Sequence, residues 1–82
     1  MKTIYSDDYI SIISKLRAIR LKRDIKQKDV ATALGVNQSF VSKVENRDRK
    51  LDVIEFLSWI DALNVGIDEV LPSKYIRKGN EE

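Results

Sequence analysis

Residues Gln27 to Val44, QKDVATALGVNQSFVSKV, constrain the chain more than any other stretch, because they read as two short helices hinged on a Gly-Val-Asn turn. Val30, Ala31 and Leu34 stand at i, i+1 and i+4, a single apolar stripe on the first helix. Ala31 sits at mid-helix, where a larger side chain would push a crossing helix away. Gly35 follows Leu34 as a C′ residue, where the left-handed conformation ends a helix without a Cβ penalty. Asn37 is then a good N-cap for the second helix. In that helix Val41 and Val44, three apart, face back toward the first.

The other face of the second helix carries Gln38, Ser39, Ser42 and Lys43, all short or flexible and polar. A purely structural hairpin accounts for the apolar positions but not for an outward face suited to base edges. Two helices joined at a steep angle by a three- or four-residue turn hold the second proud of the surface, where it can enter a major groove. The residues therefore point to a helix-turn-helix, with double-stranded DNA as its ligand.

Over about Leu16 to Leu71, the segments LRAIRLKRDIKQKDVA, ALGVNQSFVSKVENR, LDVIEFLSWIDALNV and IDEVL resemble the lambda-repressor-like (Cro/XRE) helix-turn-helix family. The resemblance implies a compact, all-α, five-helix DNA-binding domain with the helix-turn-helix at helices 2 and 3. It implies that Gln38, Ser39 and Lys43 face bases; glutamine can bond adenine bidentately, and lysine favours guanine O6 and N7. Gln27, Lys28, Ser42, Asn46 and Arg47 fall at backbone-contacting positions, and Arg49 and Lys50 could extend that clamp. Taken alone, each of these side chains also fits ordinary surface polarity. Arg20 and Glu45 match a family ion pair that ties helix 1 to the end of helix 3, fixing an angle more than adding stability; the alternative is two unpaired surface charges.

Two departures stand out. Lys26 occupies the position where the family commonly has Thr or Ser as the helix 2 N-cap. Lysine accepts no bond from the orphan N–H groups and its charge opposes the helix dipole, which weakens the phosphate role of Gln27. The residues MKTIY also precede helix 1; they could pack on a partner subunit, reach DNA as an arm, or be disordered.

Charge is segregated along the chain. Residues 1–50 hold 12 Lys+Arg against 6 Asp+Glu, whereas residues 51–82 hold 3 against 7, beneath a net charge of only +2. The basic half contains the helix-turn-helix, where cations displace counterions from phosphates.

Helical patterns organise the rest. Ser6 can cap helix 1, with Asp7 and Asp8 in its first turn and Ile12, Ile13, Leu16, Ile19 and Arg20 inward, up to Arg23. Helix 2 is expected over 27–34 and helix 3 over 38–46, followed by a charged loop, RDRK. Asp52 caps helix 4, whose stripe is Val53, Phe56, Trp59, Ile60 and Leu63. After Asn64-Val65-Gly66, a fifth helix is expected over 67–71, stopped by Pro72. The expected organisation is an N-terminal extension (1–8), one DNA-binding domain (9–72) and a frayed polar tail (73–82).

Enzymatic classes are disfavoured: histidine and cysteine are absent and no glycine-rich phosphate loop exists. No cofactor or metal is expected. No apolar run approaches the roughly 20 residues of a membrane span and no signal-peptide pattern opens the chain, so a cytoplasmic location is expected; the resemblance adds a bacterial or phage-encoded, nucleoid-associated origin. A nine-residue recognition helix reaches only about 13 Å, so a useful operator needs a homodimer. Ile54, Leu57, Tyr75 and Ile76 are the candidate interface, against the alternative of scattered surface apolars. The expected function is a sequence-specific transcriptional regulator acting by occupancy, a repressor of phage or restriction-control type. The alternative is an antitoxin or other interaction module with secondary DNA binding; a toxin or polymerase partner is unproven.

Overall fold

The computed structural model describes residues 6–77, within which four α-helices are followed by two single 3-10 turns. The helices are α1 (Asp7–Lys22), α2 (Gln27–Leu34), α3 (Gln38–Glu45) and α4 (Val53–Leu63). The MKTIY arm and residues 78–82 of the expected tail lie outside the described residues.

Each helix begins on a local cap. Ser6 Oγ accepts from the Tyr9 N–H, Asn37 Oδ1 from Phe40 and Asp52 Oδ1 from Glu55. At Lys26, which has no acceptor to offer, the carboxylate of Asp29 accepts from the Lys26 backbone N–H at 3.1 Å. That reverse half of a capping box starts α2 at Gln27 despite the unsuitable cap, and it adds an acid to the positive end of the dipole.

All four helices end alike. Val36 N–H reaches Ala31 O as Gly35 turns left-handed (φ 72°), and the same six-residue closure recurs at Ile25→Arg20, Asp48→Lys43 and Val65→Ile60. Only α2 uses glycine for the left-handed position; Asp24 (φ 59°), Arg47 (φ 62°) and Asn64 (φ 55°) serve the others. Asn and Asp tolerate that region, whereas arginine does so at roughly 1–2 kcal/mol. Arg47→Gly is therefore expected to raise the melting temperature by about 4–8 °C for each kcal/mol relieved. A thermal melt with an unchanged or lower midpoint would contradict the strain at this position.

The core is built from Ile13 and Leu16 of α1, Val30 and Ala31 of α2, Val41 and Val44 of α3, Trp59, Ile60 and Leu63 of α4, and Val70. Trp59, Leu63, Val41, Val44 and Val70 have no exposed surface. Ala31 is buried, as close crossing of α2 and α3 requires.

The structure corrects two expectations. There is no fifth α-helix over 67–71: the segment makes a 3-10 turn, Ile67–Glu69, with a single i→i−4 bond from Leu71 to Ile67. Five residues between Gly66 and Pro72 are too few to propagate a helix from its costly nucleus, and the residue before a proline is disfavoured from helical geometry. The turn serves instead to drive Val70 into the core. Val53, assigned to the inner stripe of α4, is 68% exposed. As the first residue of its helix it stands at the mouth of an apolar groove lined also by Tyr9, Ile12, Leu51 and Phe56, and is not covered by it.

Smaller differences are positional. Helix α3 stops at Glu45, with Asn46 half in the helix, so the recognition helix has eight residues. Ser73–Tyr75 form an ordered 3-10 turn whose Tyr75 hydroxyl donates to Asp8, and Lys74 Nζ lies 3.0 Å from the same carboxylate. Two guanidinium and phenol contacts tie α1 to the rest of the chain. Arg23 donates to the carbonyls of Leu63 and Asn64 at the C-terminal end of α4, and the Leu51 N–H donates to the Tyr9 hydroxyl.

Candidate nucleic-acid interface

The polar face of α3 is a direct consequence of its buried face. At 100° per residue, Val41, Val44 and Glu45 fall within one arc of about 100°, and Gln38, Ser42, Asn46, Ser39 and Lys43 within an arc of about 140° on the other side. The first three are buried; Gln38, Ser39, Lys43 and Asn46 are exposed, and Ser42 is half-buried. Of the candidate base-facing residues, Lys43 projects from the last turn of α3, while the Ser39 hydroxyl donates back to the Asn37 cap at 2.7 Å.

Beneath this face lies a buried ionic network. Arg20 of α1 makes a bidentate pair with Glu45 of α3, Nε to Oε2 at 2.7 Å and Nη2 to Oε1 at 3.0 Å, and both residues are buried. Arg20 Nη1 also donates to the Ile25 carbonyl at 2.9 Å. Glu45 Oε1 further accepts from Gln27 Nε2 at 3.0 Å, and Gln27 Oε1 accepts from Gln38 Nε2 at 3.3 Å. A chain of bonds thus runs from α1 through the end of α3 to the first residues of α2 and α3. Gln27 does not simply project to solvent; it bonds Gln38 at the head of the recognition helix.

The flanking cations differ in their freedom. Lys28 and Arg49 are exposed and Arg47 is half-buried in the turn after α3. Arg49 makes a bidentate pair with Glu55 of α4 (3.0 and 3.3 Å), donates to the Lys50 carbonyl at 2.9 Å and lies 4.3 Å over the Phe40 ring of α3. The guanidinium beside Glu55 is the main reason its carboxyl titrates below the usual range, helped by the Asp52 N–H; Arg49 is in turn held charged to higher pH by Glu55.

Several participants were invisible to sequence reasoning. Arg17 stands 3.9 Å from Glu45 Oε1 with 57% of its side chain exposed, adding a cation to the oxygen that Gln27 also bonds. Arg23 acquires its role, and Glu55 its pairing with Arg49, only in the fold; Asp29 and Glu55, each an acid at the third position of a helix, had a local signal for their capping bonds. The dimer candidates Ile54 and Leu57 are 65% and 44% exposed on α4, and Tyr75 and Ile76 are 55% and 37% exposed. Among the described residues no cluster of carboxylates offers a metal site, and no helix is long and apolar enough to cross a membrane.

Two packed helices joined by a three-residue turn, the second with its polar face presented to solvent, suit a major-groove reader, and residues 16–70 match a family described as helix-turn-helix. The chain belongs to the helix-turn-helix family of Cro/C1 type. Among curated proteins, none matches it. This helix-turn-helix family is one of DNA-binding transcription regulators, not typically of enzymes, and DNA binding is the activity it assigns to the chain. The matched span begins at Leu16 and ends at Val70, so it covers all the core elements except the first turns of α1.

Proposed function

We propose that the chain is a sequence-specific transcriptional repressor of phage or restriction-control type that acts by occupying a pseudo-palindromic operator as a homodimer. The observation that carries this reading is the Glu45–Gln27–Gln38 relay, which presents a pre-oriented amide at the exposed head of α3. A glutamine so held can bond the N6 and N7 edge of adenine without first losing rotamer freedom. In this reading Gln38, Ser39 and Lys43 read bases, while Gln27, Lys28, Ser42, Asn46, Arg47, Arg49 and Lys50 contact phosphates.

Dimerisation follows from reach. An eight-residue helix covers about 12 Å of groove, a few base pairs only. Two copies spaced by about one turn of DNA, roughly 34 Å, give the affinity an operator needs. The exposed apolar side chains Val53, Ile54 and Leu57 on α4, with Tyr75 and Ile76, are the surface offered for a two-fold contact.

The test is selection of binding sites from a random duplex pool at about 150 mM salt, a concentration at which phosphate contacts alone hold DNA weakly. The expected result is an enriched pseudo-palindrome with half-sites about 10–11 base pairs apart. Weak, salt-sensitive binding with no enrichment would overturn the operator reading and favour a protein-interaction module of antitoxin type.

A further inference from the structure

We propose that Glu55 is an internal competitor for the Arg49 guanidinium, occupying in the free protein the fork that a DNA phosphate takes in the complex. The proposal rests on the DNA-binding reading and adds to it a residue that tempers affinity for all DNA alike.

Three features of the geometry carry it. The first is position: Arg49 lies on the Phe40 ring, and Phe40 belongs to α3, so the guanidinium flanks the recognition helix itself. The second is the form of the contact. Nη1 and Nη2 each donate to one carboxylate oxygen, the planar two-point arrangement that arginine also makes with phosphate.

The third is that the exchange leaves no charge stranded. Glu55 Oε1 also accepts from the Asp52 N–H at 3.0 Å at the start of α4, so its carboxylate keeps a partner and the positive end of a helix when Arg49 departs. Arg49 keeps its stacking on Phe40. The pair is solvent-exposed, its side chains 43% and 26% accessible, and exposed pairs of this kind are held weakly enough to exchange.

The consequence is a uniform weakening. A phosphate contact strengthens operator and random DNA equally, so a carboxylate that competes for it lowers non-specific residence and leaves base readout untouched.

A double-mutant cycle on the full chain tests this, with dissociation constants for a random duplex measured at about 100 mM salt. Glu55→Gln retains an oxygen for the Asp52 N–H but removes the charge, and is expected to bind about two- to fivefold more tightly. Arg49→Gln is expected to bind more weakly and to lower the slope of log K against log salt by about 0.9, the value of one phosphate contact. In the Arg49→Gln background, Glu55→Gln is expected to change binding by less than about 1.5-fold, as is Asp61→Asn, a charge removed elsewhere on α4. Thermal melts of all variants establish that each is folded at the assay temperature.

Equal tightening by Glu55→Gln with and without Arg49 would overturn the proposal in favour of a general charge effect. No tightening in either background would overturn it outright. In both of those outcomes the wild-type chain still binds DNA, so the DNA-binding reading stands; a wild type that fails to bind any duplex would bring down both.

Discussion

Glu45→Ala is expected to destabilise the domain by about 3–5 kcal/mol, because it leaves the Arg20 guanidinium buried with no carboxylate to face. Folded domains are stable by only about 5–15 kcal/mol, so the melting temperature should fall by roughly 12–40 °C. The residual Arg20 bond to the Ile25 carbonyl satisfies one donor of the fork and none of its charge. The reciprocal variant is expected to be milder. Arg20→Ala leaves Glu45 bonded to Gln27 at 3.0 Å and within 3.9 Å of Arg17, which is exposed and free to approach. Replacing both partners by apolar residues of similar size, Arg20→Met with Glu45→Leu, should recover most of the loss, since desolvation offsets much of the attraction within the pair. Chemical denaturation of the four proteins reads these values directly. An Arg20→Ala chain that melts within a few degrees of wild type and binds its operator normally would remove the pair from any structural role.

The second large effect concerns base readout. Gln38→Ala and Lys43→Ala are each expected to cost about 1–3 kcal/mol on the selected operator, five- to 150-fold in affinity, with much smaller losses on random DNA. The two should differ in their dependence on the relay. Gln38 is held by Gln27, so Gln27→Ala should reproduce part of the Gln38 loss, and the two substitutions should combine less than additively. Lys43 has no such support, and its loss should add to either. Binding curves on operator and scrambled duplex distinguish these outcomes. Equal losses on the two DNAs would mean that α3 is not the element that reads sequence.

Some of this was legible without coordinates. The apolar spacing of Val30, Ala31, Leu34, Val41 and Val44, the caps at Ser6, Asn37 and Asp52 and the left-handed Gly35 are relations among residues at most a few positions apart. Periodicity and backbone chemistry therefore reveal them directly. The helix-turn-helix, and with it the family, follows from such local relations. Val53 and the 67–71 segment misled for the same local reason. An apolar residue in register with a stripe and a short run before proline both look helical and buried, and only the packing at a helix's first turn or the length between two breakers decides otherwise.

What the sequence by itself determined is where α1 to α4 begin and, Val53 apart, which face of each turns inward, because those properties are settled within three or four residues; the fifth helix it also suggested is a 3-10 turn. The tertiary structure decided contacts across 18 to 41 residues that neither spacing nor the resemblance had named: Gln27 with Glu45, and Arg23 with the carbonyls of Leu63 and Asn64. It also decided that Arg47 closes α3 in a left-handed conformation, and that Arg49 faces Glu55 across the loop. A charged side chain carries no mark of its partner. Its pairing depends on the angles at which α1, α2, α3 and α4 pack around Trp59, and those angles come from the shapes of the whole core together.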